Sequence, residues 1–337
     1  MAMISAKSAL ALSVAAIVPA AAPSASARSS PPGPSEPCGR HEEVRRALTA
    51  LTAHDHIAGA SVLADGPCGR WSETAGRADL GTGRPMNTTD RLRVGSVTKT
   101  FTATVVLQLA PEHRLSLDTP VAHYLPGTLG DAGKHITVRR LLRHRPFEPR
   151  ELIARALELP RPQQPWHYAT TDYLVLGLIV QQDETRIRGR YSHSYFAAED
   201  GRRVDRTDWN TTFGGVGGAL VSTQSDLTRF ADALLGGRLL PAPRLREMQR
   251  TVAADPDRLW PGARYGLGLI SSPLSCGGVW WGHAGTVPGG HRALVAVGPG
   301  GRSVAVPLSQ VPDTLRAEQY FQDLVDTSLC ASERTSA

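Results

Sequence analysis

The period of the apolar residues changes twice along this chain, and that change restricts the fold more than any other feature of the sequence. Residues 58–65 read as a strand, followed by a second strand near 70–76. Helical spacing then takes over. Residues 97–109, 121–125, 137–144, 151–158 and 173–180 each carry apolar positions at helical intervals. Four short runs return near the C-terminus, at 265–272, 278–283, 292–297 and 303–308, with Gly- and Pro-containing turns between them. A helix over 315–329 closes the pattern, and another over 41–54 opens it with Val44, Leu48 and Leu51 on one side. Strands at both ends around a helical middle predict one α/β unit with a helical insertion at about 100–215. Between them, 181–210 is charged and irregular and reads as exposed loops. A helix starting at Ser225 carries Leu227, Phe230, Leu234 and Leu235 and stops at Gly236-Gly237.

The first 27 residues have a different job. Lys7 precedes an apolar run over 9–18, and Ala25-Ser26-Ala27 supplies small residues of the kind found at a signal-peptide cleavage site. The apolar run is shorter than the roughly 20 residues a membrane span needs, and no later stretch reaches that length. This predicts a secreted, extracellular protein with no stable membrane insertion. A Ser/Pro-rich disordered leader over 28–40 and a tail over 331–337 flank the folded domain at 41–330. Outside the cytoplasm the four cysteines are expected to be oxidised. Four cysteines can pair in three ways, and the segments they flank favour Cys276 with Cys330 and Cys38 with Cys68. None has zinc-site spacing, so no metal is predicted. The net charge of +6 comes from scattered arginines with no basic block, which argues against nucleic acid as a partner.

The charge has one informative detail. Among 37 basic residues only Lys7, Lys99 and Lys134 are lysines. Arginine cannot release its proton in a protein, whereas a desolvated lysine can serve as a base. Lys99 stands three residues after Ser96, so on a helix the two side chains share a face. A serine hydroxyl becomes a nucleophile by passing its proton to such a base. Ser96 also sits where a helix N-cap is expected, at the positive end of the 97–109 helix.

Longer stretches around this pair carry a resemblance. Arg93-Val94-Gly95-Ser96-Val97-Thr98-Lys99-Thr100-Phe101, then Tyr168-Ala169-Thr170-Thr171-Asp172, then Trp281-Gly282-His283-Ala284-Gly285-Thr286-Val287 fall in the order seen in penicillin-binding serine hydrolases and β-lactamases. The sequence most resembles secreted D-alanyl-D-alanine carboxypeptidases. The resemblance implies an antiparallel sheet flanked by helices with an all-helical subdomain inserted. It implies Ser96 as nucleophile, Lys99 and Tyr168 as shared base and acid, and an oxyanion hole from the Ser96 and Thr286 amides. His283, Gly285 and Thr286 would form the strand along which substrate lies, with Thr170 facing it. No cofactor is implied, and the partners would be peptidoglycan-type peptides or β-lactam small molecules; the protein is expected to be a monomer.

The chain departs from that family in three places. Thr170 stands where asparagine is usual, and a hydroxyl has less reach than an amide. Arg145-Pro146 replaces the usual continuation after His144. Ile270 follows Gly266-Leu267-Gly268-Leu269 where an arginine would grip a terminal carboxylate, leaving Arg264 or Arg292 as substitutes. A β-lactamase or small-ester hydrolase, and a catalytically reduced binder of cell-wall peptides or penicillins, are the competing readings.

Overall fold

The computed structural model describes residues 41–143 and 187–330, apart from 68, 113, 128, 188, 209–214 and 257. The expected helices at 151–158 and 173–180 and the expected Cys38–Cys68 pair lie outside the described residues.

Helix α1 (His41–Ala53) leads into β1 (Gly59–Asp65), β2 (Trp71–Asp79) and β3 (Arg84–Pro85), with β4 (Leu92–Arg93) beyond. Helix α2 (Thr98–Leu109) follows, then two short strands, β5 (Tyr195–Ala197) and β6 (Arg203–Asp205), and β7 (Val221–Ser222). After α3 (Gln224–Leu235) and α4 (Ala242–Met248) come β8 (Val252–Ala253), β9 (Arg264–Tyr265), β10 (Ile270–Pro273), β11 (Val279–Thr286), β12 (Arg292–Val297) and β13 (Ser303–Leu308), and α5 (Leu315–Leu329) ends the described chain. Nine strands form one antiparallel sheet in the order β3-β2-β1-β13-β12-β11-β10-β9-β8. Both ends of the chain therefore build its centre, where β1 lies beside β13.

The period of two along each strand sorts its side chains between two layers. Leu294 and Ala296 of β12, with Val304, Val306 and Leu308 of β13, pack with Val44, Leu48 and Leu51 of α1 and Phe321, Leu324 and Val325 of α5. Ala293, Val295, Val297 and Ala305 point the other way, against Leu227 and Ala231 of α3 and Val94 and Val97. Polar groups also tie the second layer down. Ser61 Oγ donates to Gln224 Oε1 (3.0 Å) and Gln224 Nε2 to the Ala305 carbonyl (2.9 Å), so two buried polar side chains satisfy each other and the sheet. A third cluster, around Ala103, Val106 and Leu107 of α2, contains Leu115, Val121, Val138 and Leu142 and forms the helical side of the molecule. Helix α2 is buried on several sides, which is why it has little amphipathic character.

Three local expectations are corrected. The strand expected over 265–272 is two strands, because Gly268 takes φ +67° and the Gly266 amide donates to the Leu269 carbonyl (2.7 Å), closing a turn between them. The segment expected as exposed loops over 181–210 contains the β5–β6 hairpin, turned at Gly201 (φ +80°), and buries Ser192, Ser194 and Tyr195. Tyr195 is held there by accepting the Leu80 amide at its hydroxyl (2.7 Å). Finally, Ser96 lies in a separate 3-10 turn before α2, whose N-cap position is taken by Val97.

Cys276 and Cys330 form a disulfide that closes a separation of 54 residues and ties the end of α5 to the β10–β11 turn. The Ser275 amide adds a bond to Asp326 (2.8 Å) at the same junction. No helix among the described residues is long and apolar enough to cross a membrane.

Candidate active site

Ser96 is placed by backbone geometry on both sides of it. The Val94 amide donates to the Leu220 carbonyl (2.9 Å), extending the β4–β7 pairing, and Gly95 then turns the chain at φ +52° into the 3-10 turn Gly95–Val97. Thr98 Oγ1 donates to the Gly95 carbonyl (2.6 Å) and accepts the Leu220 amide (3.2 Å), locking the turn to the segment beside it. Lys99, one turn on, is 1% exposed, while Ser96 remains half-buried. Lys99 Nζ donates to Ser96 Oγ (2.9 Å) and to the Gly217 carbonyl (2.9 Å) in the short helix Gly215–Gly218. The predicted pair thus meets at hydrogen-bond distance in a desolvated place. Gly217 is a third member that spacing alone did not reveal, since it joins by packing from a distant segment.

The end of β11 presses directly on this turn. A β-carbon on Gly285 would lie 1.9 Å from the Val94 carbonyl oxygen and 2.8 Å from the Ser96 nitrogen. One on Gly95 would lie 2.7 Å from the Thr286 nitrogen. Two glycines therefore allow the two backbones to approach, with the Ser96 and Thr286 nitrogens both at the contact. Stabilisation of an oxyanion beside a nucleophilic hydroxyl requires backbone N–H donors of this kind.

His283 lies in β11, two residues before Gly285 and on the same face of the strand. It is 1% exposed, its Nδ1 donates to the Ala284 carbonyl (2.5 Å), and Tyr265 therefore donates its hydroxyl to Nε2 (3.1 Å). Burial, and next the charge of Lys99, push its pKa down to about 3, so the ring is neutral. Its ring thereby links β11 to Tyr265 of β9. Thr286 is exposed at the strand's end, and its Oγ1 accepts from Arg292 Nη1 (2.9 Å). Ile270 is fully buried in the core with Tyr265 and Trp280, so the position after Gly-Leu-Gly-Leu packs the interior here. Arg264 is bound to Thr251 Oγ1 (2.9 Å) on the outer strands. Tyr168 and Thr170 lie outside the described residues.

The neutral histidines set an acid limit. His291, also buried, is pushed down to about 4 by burial. In the unfolded chain both rings return to about 6.5, so that below this value the unfolded state binds protons the folded state refuses. Stability contributed by their neutrality is complete above about pH 6.5 and is lost as pH falls through about 4 for His291 and about 3 for His283. Urea unfolding is expected to show a loss of up to about 1.4 kcal/mol per pH unit for each histidine between pH 6 and 5, and a flat response from either above pH 7.

Comparison with known proteins agrees with this architecture. The Beta-lactamase family model matches residues 44–184 and 181–325. A D-stereospecific amidohydrolase from Streptomyces is 30% identical with a TM-score of 0.73, the match covering 87% of this chain and 99% of that one. Penicillin-binding protein 4 of Amycolatopsis lactamdurans is 27% identical over 84% of this chain and 88% of its own. The D-amino acid amidase of Ochrobactrum anthropi, solved with D-phenylalanine, is 23% identical with a TM-score of 0.72 over 86% of this chain and 98% of that one, and shows the shared fold. With the family model matching well over half its length, this chain belongs to the Beta-lactamase family, a family of serine hydrolases.

Proposed function

We propose that this protein is a secreted serine hydrolase that forms an acyl-enzyme at Ser96 and cleaves amide bonds next to D-amino acids, with peptides ending in D-alanyl-D-alanine as substrates and penicillins as covalent inhibitors. The observation that carries the reading is the 2.9 Å contact between Lys99 Nζ and Ser96 Oγ, on a turn whose backbone packs closely against Gly285 and Thr286. In its neutral form Lys99 keeps one N–H on the Gly217 carbonyl and uses its lone pair to accept the Ser96 proton. Ser96 Oγ then bonds to the substrate carbonyl carbon, and the oxygen's charge rests on the Ser96 and Thr286 amides. The proton passes to the leaving amine as the amide bond breaks, with Tyr168 proposed to share this transfer. Water, deprotonated by the same groups, releases the acid and restores Ser96. The similarity to a D-stereospecific amidohydrolase supports the D-configured substrate, and that to a penicillin-binding protein supports inhibition by penicillins. Export is supported by the composition of residues 1–27 and is compatible with the disulfide.

The test is to incubate the mature protein with a reporter penicillin, map the adduct by mass spectrometry, and measure turnover of a D-alanyl-D-alanine peptide, a D-amino acid amide, a β-lactam and a small ester. An adduct on Ser96 that vanishes in Ser96→Ala, with peptide or amide the fastest substrate, is expected. Faster β-lactam or ester hydrolysis overturns the substrate assignment. No adduct and no turnover overturns the enzyme and leaves a binding protein.

A further inference from the structure

We propose that the hydroxyl of Thr98 is a positioning group for the reaction at Ser96, holding Ser96 and the Gly217 carbonyl in one fixed arrangement about Lys99. The inference rests on the reading of Ser96 as the reacting group. Thr98 stands at the first position of α2 and is 6% exposed. Its Oγ1 donates its proton to the Gly95 carbonyl (2.6 Å), a local bond of the kind threonines make to nearby backbone. The second bond is not local. The same oxygen accepts the amide of Leu220 (3.2 Å), 122 residues away in sequence. Leu220 therefore grips the nucleophile's turn twice, since its carbonyl accepts the Val94 amide (2.9 Å) from the other end of the turn Gly95–Val97.

The segment that Leu220 anchors has little rigidity of its own. Three of the four residues of the short helix Gly215–Gly218 are glycine, the residue that loses the most conformational freedom on being ordered. Yet Lys99 Nζ depends on this segment: it donates to the Gly217 carbonyl (2.9 Å) as well as to Ser96 Oγ (2.9 Å). The contacts form a closed circuit from Ser96 to Lys99 to Gly217, along three residues to Leu220, and through Thr98 back to the turn that carries Ser96. Within it, Thr98 supplies a link through a side chain that takes no part in the chemistry. Valine there has the same shape with neither proton nor lone pair, whereas serine keeps both. A shift of about 1 Å between reacting groups is enough to lower a rate about 100-fold.

The experiment follows acylation by the reporter penicillin and turnover of the D-alanyl-D-alanine peptide by the full chain carrying Thr98→Val, Thr98→Ser or, as control, Thr104→Val. Thr104 is also buried in α2, and its hydroxyl donates to the Thr100 carbonyl (2.8 Å) within the helix. Thr98→Val is expected to lower the acylation rate and kcat about 30-fold, with KM changed less than about threefold. Thr98→Ser is expected to stay within about threefold of wild type, and Thr104→Val to lose thermal stability but keep its rates. A further readout needs no activity. The chain has three lysines, Lys7, Lys99 and Lys134, so isotopic labelling of lysine Cε gives three NMR signals, of which Lys7→Arg and Lys134→Arg identify the other two. The Lys99 signal is expected to move in Thr98→Val and to hold its place in Thr98→Ser and Thr104→Val. A loss below about threefold in folded Thr98→Val overturns the proposal. So does a loss in Thr98→Ser as deep as in Thr98→Val, which assigns the effect to packing of the methyl group, or an equal loss in Thr104→Val, which assigns it to helix stability. If Thr98→Val does not fold, Thr98→Ala decides by the same limit. Should the wild type neither take up penicillin nor turn over any substrate, the failure belongs to the Ser96 reading. The Lys99 signal then decides the positioning alone, and a signal unmoved in Thr98→Val overturns it.

Discussion

Lys99→Arg is expected to lower kcat at least about 10³-fold, as severely as Ser96→Ala, and the double substitution to be no worse than either alone. Arginine keeps the positive charge and the ability to donate hydrogen bonds, so an electrostatic or structural role would survive the change in part. A base role would not, since a guanidinium does not give up its proton near neutral pH. Lys99 is buried and reaches both Ser96 Oγ and the Gly217 carbonyl through one nitrogen. Residues that act as one unit lose their function together, which is why the two losses should not add. Steady-state rates with thermal midpoints recorded for each variant make the measurement, and a Lys99→Arg enzyme retaining about a tenth of the activity would remove lysine from the proton path.

Gly285→Ala is expected to cost about 2–4 kcal/mol in stability and at least about 100-fold in kcat/KM. The added methyl meets backbone on two sides, the Val94 carbonyl at 1.9 Å and the Ser96 nitrogen at 2.8 Å, and neither can rotate away as a side chain would. The turn bearing Ser96 must then separate from β11, and the two amides at Ser96 and Thr286 part with it. Gly83→Ala is the control. It has φ +72° and nothing within 4 Å of the new atom, so only the backbone preference is lost, about 1 kcal/mol, and activity should hold. Urea midpoints and peptide turnover for both variants separate the two effects.

Much of the sheet was readable because its strands are short, rich in valine, alanine and leucine, and bounded by glycine and proline. β12 and β13 are apolar on both faces, so length and punctuation identified them where alternation was absent. The break at Gly266–Leu269 was hidden inside an apolar run, since a turn packed against the Met248 carbonyl has no polar signature. The β5–β6 hairpin was hidden for the opposite reason. Its charged residues face solvent on a two-stranded edge, and only Asp200-Gly201 marked the turn. At the site, local spacing revealed Ser96 and Lys99 because one turn of helix joins them. Gly217 and the Gly95–Gly285 approach depend on which segments pack together. Arg264 and Arg292 looked equivalent in the sequence, and it is strand pairing that puts one beside Thr251 and the other beside Thr286.

The placement of β1 beside β13, pairing Leu63 with Ala305, governs how the molecule is made. The β1–β2 hairpin pairs residues close in sequence, whereas the partner of its inner edge is among the last strands to be synthesised. The entropy of closing that long loop is met late, by one long-range docking event that helices and local turns cannot begin. Synthesis that stops before Ser303 leaves no place for the first strand to go, so assembly is a property of the finished polypeptide.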